Sequence, residues 1–368
     1  RYPVYENQDF LQGIDGEEKN RSFTFCSSQY QMQLSFDRTA KAHSSSGGQS
    51  EGAIAEHTII PGLVGTQSGQ SVSAYKDILV FSSKANSTNS VQVYLYDYGT
   101  DTWMQDTSIE RQGSGNEDIN FGSSIHVSRK SNGDYIMLVG ADKFSNTVGG
   151  SSVYSYTKDT VGDDLWIESE TIIGTNDFIE SDSFGFSCSY SLMPGSQDEV
   201  IVIGAPNYDS DAVDTDVGAV YVRDYIRGTV TETFIAGTSG KDAVFGHSVS
   251  SDGNRFVVGI PRVDTSSGRV QIYHYEGDSW TSMTAGSTQP SDSFVEDQFG
   301  FSVAMDGDWI AVGAPGAQWN EEVTGDPPPP TFNAGAVYLF WYNSSTGDWD
   351  EAQKIQLSDP NDDDNFGW

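Results

Sequence analysis

Cysteine is nearly absent from this chain: Cys26 and Cys188 are the only two in 368 residues. They fit one disulfide or two buried thiols, and no metal-ligand spacing surrounds them. Basic residues are also scarce, 19 Lys and Arg against 53 Asp and Glu, for a formal net charge of -34. Such a surface repels phosphate backbones and anionic headgroups, which excludes nucleic acid and membrane surfaces as partners. It attracts divalent cations and basic proteins, and it tolerates neutral carbohydrate; a solvated acidic coat that keeps the chain soluble is the plainer reading. No apolar run approaches the roughly 20 residues of a membrane span, so no membrane insertion is expected from this segment. The opening residues Arg1 to Glu6 lack the basic and apolar segments of a secretory signal, so any such signal is expected to have been removed. The five histidines are scattered. No Gly-x-Ser-x-Gly elbow, His-Glu-x-x-His, P-loop or Ser-x-Asp-x-Gly-x-x-Trp box occurs. A glycosidase carboxylate pair, which needs proximity in space and not in sequence, remains the one enzymatic alternative.

What is plentiful is glycine (39), tyrosine (18) and phenylalanine (19), against a hydrophobic fraction of only 36%. That balance suits many short strands joined by turns, and the aromatic content argues against disorder. Phe-Gly pairs recur at Phe121-Gly122, Phe184-Gly185, Phe245-Gly246, Phe299-Gly300 and Phe366-Gly367, with glycine spacings of 63, 61, 54 and 67 residues. Each opens a short alternating segment, such as Phe299 to Met305, that runs into a turn such as Asp306-Gly307-Asp308. A compact apolar strand then closes on small residues, as in Trp309 to Pro315, Val200 to Pro206, Phe256 to Pro261 and Met137 to Asp142. Continuous apolar runs of this kind belong to strands covered on both faces. A variable polar loop and an alternating third strand follow, from Gly335, Gly218, Gly268 and Ser152, and then a tryptophan at Trp349, Trp280 or Trp166. A fainter copy runs from Gly69 through Ile78 to Ser82, then Val91 to Tyr94 and Trp103.

Four strands per unit of about sixty residues, with no helical periodicity between them, predict an all-β propeller of four-stranded antiparallel blades. Five complete blades are expected at 69–120, 121–183, 184–244, 245–298 and 299–365, with another starting at 366. Glycines would let strands approach near the axis, and aromatics would fill the space between blades. Cys188 occupies the position held by Val303 in a later unit, which predicts a buried apolar thiol. Residues 1–68 lack the repeat marks and are read as a degenerate blade or N-terminal cap. Ser22 to Cys26 and Gln31 to Phe36 alternate like strands, and Ala40 to Gly52 reads as a flexible loop. The native polypeptide is expected to continue past Trp368, and ring closure to need residues beyond it.

The ordered recurrence of Phe-Gly, Gly-Ala-Pro and the tyrosine-bearing third strand, over about four fifths of the chain, resembles the FG-GAP repeat family. Its best-known member is the integrin α head. The Asp252-Gly253 turn and Trp280 make the likeness closer to the FG-GAP repeats of bacterial and algal surface proteins. The resemblance implies a seven-bladed, non-catalytic, secreted or cell-surface propeller. It also implies calcium loops of the Asp-x-Asp-x-Asp-Gly kind, from which this sequence departs: Ser131 to Asp134, Ser251 to Asn254 and Asp306 to Asp308 read as turns too short to wrap the ion.

Two other loops are candidates. Asp209, Asp211, Asp214 and Asp216 crowd after Gly204-Ala205-Pro206, and their mutual repulsion would be relieved by a weakly bound calcium, or simply by solvent. The Gly316 to Asn333 loop carries Trp319, Glu321, Glu322 and Pro327, Pro328, Pro329 and Pro330. An aromatic beside stiff polyproline offers contact area at small ordering cost, as a partner-binding loop needs; a spacer insertion is the alternative. The resemblance puts the corresponding integrin connection on the ligand-binding face. Sequons at Asn20, Asn86 and Asn343 occur at about the frequency chance gives, and support glycosylation and secretion only weakly.

The functional expectation is an extracellular or cell-surface structural or adhesion module that mediates protein-protein assembly through propeller loops. It needs no cofactor, with calcium as an optional ion. The alternatives are a carbohydrate-binding module that sets Trp319 against glycans, and the non-catalytic propeller of a larger hydrolase.

Overall fold

The structure is a computed structural model that describes residues 67–85, 88–100, 102–111, 120–143, 152–158, 165–173, 182–210, 216–238, 240–283, 289–318, 333–358 and 360–368. These residues form five four-stranded antiparallel sheets, each an uninterrupted meander. Blade 1 is β1 (Gln67–Tyr75), β2 (Ile78–Ala85), β3 (Thr88–Asp97) and β4 (Thr102–Arg111). Blade 2 is β5 (Phe121–Arg129), β6 (Tyr135–Ala141), β7 (Ser152–Lys158) and β8 (Trp166–Ile173). Blade 3 comprises β9 (Ser187–Leu192), β10 (Glu199–Ala205), β11 (Ala219–Ile226) and β12 (Thr229–Ala236). Blade 4 comprises β13 (Ser248–Asp252), β14 (Arg255–Ile260), β15 (Arg269–Glu276) and β16 (Ser279–Ser282). Blade 5 comprises β17 (Ser302–Asp306), β18 (Trp309–Ala314), β19 (Ala336–Asn343) and β20 (Asp348–Ile355).

The second strand of a blade is apolar throughout because both of its faces are covered. In β10, Val200 and Val202 pack with Phe245, Val249 and Phe256 of blade 4. The intervening Ile201 and Ile203 pack with Phe184 and Tyr221 of their own blade and with Leu138 and Val153 of blade 2. Period-two alternation therefore feeds two cores, one on each side. Every core so formed is shared between neighbouring blades. Within it the Phe of the first four Phe-Gly pairs meets a third-strand tyrosine edge-on: Phe121 and Tyr154 at 5.7 Å, Phe184 and Tyr221 at 5.6 Å, Phe245 and Tyr273 at 6.3 Å, Phe299 and Tyr338 at 5.5 Å. Edge-to-face geometry aligns the positive ring edge with the negative ring face.

The first strands β5, β9, β13 and β17 lie innermost, each with an unpaired edge that would otherwise expose backbone groups. Serines close these edges from one blade to the next. Ser124, Ser187, Ser248 and Ser302, each the second residue after a Phe-Gly glycine, donate to the carbonyls of Gly185, Gly246, Gly300 and Gly367 at 2.8–2.9 Å. One turn of the pleat further on, Ser73, Ser189 and Ser250 accept the backbone N–H groups of Val127, Ser251 and Met305 at 3.0 Å. This second role explains why the first strands alternate serine with apolar residues.

The glycine of Gly-Ala-Pro is required by the same contact. A Cβ on Gly204 would collide with the Gly246 carbonyl oxygen and the Ser187 hydroxyl, and Gly140, Gly259 and Gly313 stand in the same relation to the following blade. Cys188 is buried with a free thiol, accepts a hydrogen bond from Ser124 Oγ at 3.3 Å, and burial pushes its pKa up to about 12. Its register against Ile203 equals that of Val303 against Val312, as expected for an apolar thiol. No described helix is long and apolar enough to cross a membrane.

Candidate functional site

In a meander, the loop joining the second and third strands and the connection into the next blade emerge at the same end. The recurring serine-to-glycine bonds set blades 2 to 5 the same way up, and the Ser73 bond to Val127 joins blade 1 to blade 2, so these connections share one face of the molecule. The sequence device that pairs them is regular. Asp216, Ser266 and Asn333, two residues before the third-strand glycine, adopt left-handed φ values of 52°, 63° and 52°. The residues before the Phe of the next blade, Val244, Gln298 and Asn365, do likewise at 55°, 57° and 50°. The carbonyls of the first set accept the N–H groups of the second at 3.0, 2.8 and 2.8 Å. Left-handed non-glycine residues are costly and persist only where surrounding bonds hold them. The loop roots on this face are thus fixed, while their length and composition vary.

The two ends of the acidic loop, Asp209 and Asp216, lie on this face. Asp209 Oδ1 accepts the Asp216 N–H at 2.7 Å. The Asp216 carboxyl is held above its ordinary range by burial first, then by Asp209 and Asp242, against the pull of Arg262 and Lys241. Asp211 and Asp214 lie outside the described residues, and among those described no group of three or more His, Cys, Asp or Glu converges as metal ligands would. Of the Pro-rich loop, the roots Gly316 to Gln318 and Asn333 are described; Trp319, Glu321, Glu322 and Pro327 to Pro330 lie outside, as do Asn20, Asn86 and Cys26. Asn343 ends β19, and its Nδ2, the atom a glycan would occupy, donates to Asp350 Oδ2 at 2.9 Å.

The opposite face carries the turns where integrin-type calcium loops would sit. Asp252 pairs with Arg255 and Asp306 with Trp309, which leaves two-residue hairpin turns. Asp252 Oδ2 accepts the Gly307 N–H of the next blade at 2.8 Å, and Asn132 and Asp134 close on each other at 2.7 and 3.0 Å. Asp252 thus fixes one blade against the next, and Asp134 fixes its own turn.

The inner strands line a cavity of about 700 Å³, in whose wall serine is the commonest residue. Along its wall the residues following the last four Phe-Gly pairs form a row of rings: Phe186 to His247 at 5.1 Å, His247 to Phe301 at 4.4 Å, and Phe301 to Trp368 at 4.4 Å. His247 Nδ1 donates to the Phe301 carbonyl at 3.0 Å. Burial depresses the pKa of His247 and of His126 to about 4, so both imidazoles are neutral at pH 7.

Five meander blades, cores shared between blades and a serine-closed inner edge define a β-propeller module. Residues 288–340, the stretch that holds Phe299-Gly300, match the family model described as FG-GAP repeat, which is consistent with the resemblance read from the recurrence in the sequence. No curated protein matches the chain at a significant level.

Two features of this face have no obvious signature in the sequence. One is the left-handed pairing of connections, which leaves only a scatter of Asp, Asn and Ser before Gly as its trace. The other is an aspartate two residues before the Phe, Asp182, Asp297 and Asp364, marked only by its spacing. Asp364 Oδ2 accepts the N–H of Asn361 and Asp297 Oδ2 that of Phe294, each at 2.7 Å, so this residue closes the turn that leads into the blade.

Proposed function

We propose that this chain is a non-catalytic structural or adhesion module of extracellular or cell-surface assemblies, and that it contacts other proteins through the loops of its connection face. The observation that carries the reading is the hydrogen-bonded rooting of variable loops along a single face of a rigid stack. Rigid scaffolds that present variable loops are the usual platforms for recognition, because the ordering cost of the roots is met on folding. FG-GAP repeat domains are typically non-catalytic and occur in extracellular proteins, which is in keeping with this reading. The net charge of -34 favours partners with basic surfaces and a role for salt in the association.

The test is affinity capture from native extracellular material with and without a calcium chelator, read by mass spectrometry. Partner proteins recovered in fixed ratio support assembly, and their loss on chelation brings the Asp209 to Asp216 loop into the interface. Recovery of the chain alone, in both conditions, contradicts the proposal.

A further inference from the structure

The connection into blade 5 contains an apolar pair that packing does not use. Phe294 and Val295 are 55% and 62% exposed, adjacent in sequence, and on the face that carries the variable loops. The turn beneath them is braced from all sides. Asp297 Oδ2 accepts the Phe294 N–H at 2.7 Å, and the Asp297 N–H returns to the Phe294 carbonyl at 3.4 Å. Glu296 N–H bonds Thr265 O at 3.3 Å and Gln298 N–H bonds Ser266 O at 2.8 Å, which ties the turn to the blade 4 loop. Glu351 accepts both the N–H and the hydroxyl of Ser291, at 2.8 and 3.3 Å. The Gly316 N–H, at the root of the Pro-rich loop, bonds the Asp297 carbonyl at 3.1 Å.

The repeat itself supplies the control. The equivalent turn ahead of Phe366 is closed in the same way, by Asp364 Oδ2 on the Asn361 N–H at 2.7 Å and the Asp364 N–H on the Asn361 carbonyl at 3.3 Å. There the positions of Phe294 and Val295 are held by Asn361 and Asp362. The fold accepts polar residues at these positions, so it does not demand the apolar pair.

We propose that Phe294 and Val295 form the anchor of a protein-protein interface, inserted into an apolar pocket rimmed by lysine or arginine on a partner protein. Exposed apolar side chains on a pre-ordered turn lose little entropy on docking, and such residues carry most of the energy of an interface. The basic rim follows from the surroundings: Asp264, Asp292, Glu296 and Glu351 flank the turn, against Arg269, which pairs with Asp264 at 2.7 Å, and Lys354, which pairs with Asp292 at 2.6 Å. The inference rests on the assembly reading above and places its centre at this turn, beside the root of the Pro-rich loop.

The test immobilises the full chain and the double variant Phe294→Asn with Val295→Asp, the residues that the equivalent turn carries, and compares quantitative capture from native extracellular material at low and high salt. A second variant, Leu165→Ser with Ile167→Ser, removes exposed apolar residues on the edge of blade 2. Circular dichroism and melting temperature verify that both variants are folded. The inference expects a defined set of proteins to fall at least tenfold on the first variant, to hold on the second, and to weaken at high salt. Equal capture by the wild type and the first variant overturns this inference while leaving the assembly reading intact. No capture by the wild type overturns both.

Discussion

Ser187 Oγ donates to the carbonyl of Gly246 at 2.9 Å, and the same hydroxyl would collide with any Cβ placed on Gly204. One hydrogen bond and one missing side chain therefore fix the distance between blades 3 and 4, and the pair recurs at every later junction. Gly204→Ala should destabilise by about 2 to 4 kcal/mol, because the clash is with backbone and cannot be relieved by a rotamer change. Ser187→Ala should cost about 1 kcal/mol, the net value of one hydrogen bond. Urea denaturation of both variants reads the difference, and equal small effects would contradict the junction geometry.

Phe184 is 2% exposed and meets Tyr221 edge-on in the core between blades 2 and 3. Phe184→Ala should destabilise by roughly 3 to 5 kcal/mol through lost burial and the cavity left behind. A melting temperature within a degree of wild type would refute the shared-core arrangement.

Acid sensitivity should arise from the cavity wall. His126 and His247 have folded pKa values of about 4, below the ordinary 6.5, so the unfolded chain binds more protons in that window. Their neutral forms support the fold above pH 6.5, and that support is lost as pH falls toward 4. His247→Phe places at this position the residue that stands at Phe186 and Phe301. It should narrow the drop in melting temperature between pH 7 and pH 4 by several degrees; an unchanged drop would rule out His247 as a contributor.

Asp297 should act in the opposite sense. Burial raises its pKa to about 6, opposed by the Phe294 N–H and Lys354 and assisted by Asp292. One of its oxygens, Oδ1, is buried without a hydrogen-bond partner. A raised carboxyl pKa means that stability declines as pH rises from about 4 through 6 and stays lower at neutrality. Asp297→Asn keeps an acceptor for Phe294 and carries no charge, so it should melt higher than wild type at pH 7.5, with the gap shrinking toward pH 4. A gap that does not change with pH would remove this account of the turn.

Much of the fold was legible because the repeat writes each contact several times. The apolar run Val200 to Ile203 announced a strand covered on both faces, and the Phe-Gly pairs marked the blade starts. The alignment of Cys188 with Val303 identified a buried thiol. The site was less legible, since its order depends on bonds between segments distant in sequence. Nothing local in Asp216 or Val244 reveals that one accepts from the other across a blade boundary, and a valine at positive φ runs against its own preference. The serines of the first strands read as one half of an alternating pattern; their use in closing the inner edge requires the neighbouring blade. Phe294 and Val295 carried no periodic signal, and only comparison with Asn361 and Asp362 in the folded repeat separates them from core residues.

On the proposed reading, partners meet the connection face and not the opposite one. Cross-linking mass spectrometry of the native assembly, with amine- and carboxylate-reactive reagents, tests it most directly. Partner cross-links are expected at Lys143, Lys241, Asp264 and Glu296, on the connection side. Cross-links concentrated instead at Lys76, Lys130, Asp278 and Asp308, on the hairpin turns of the other side, would contradict it.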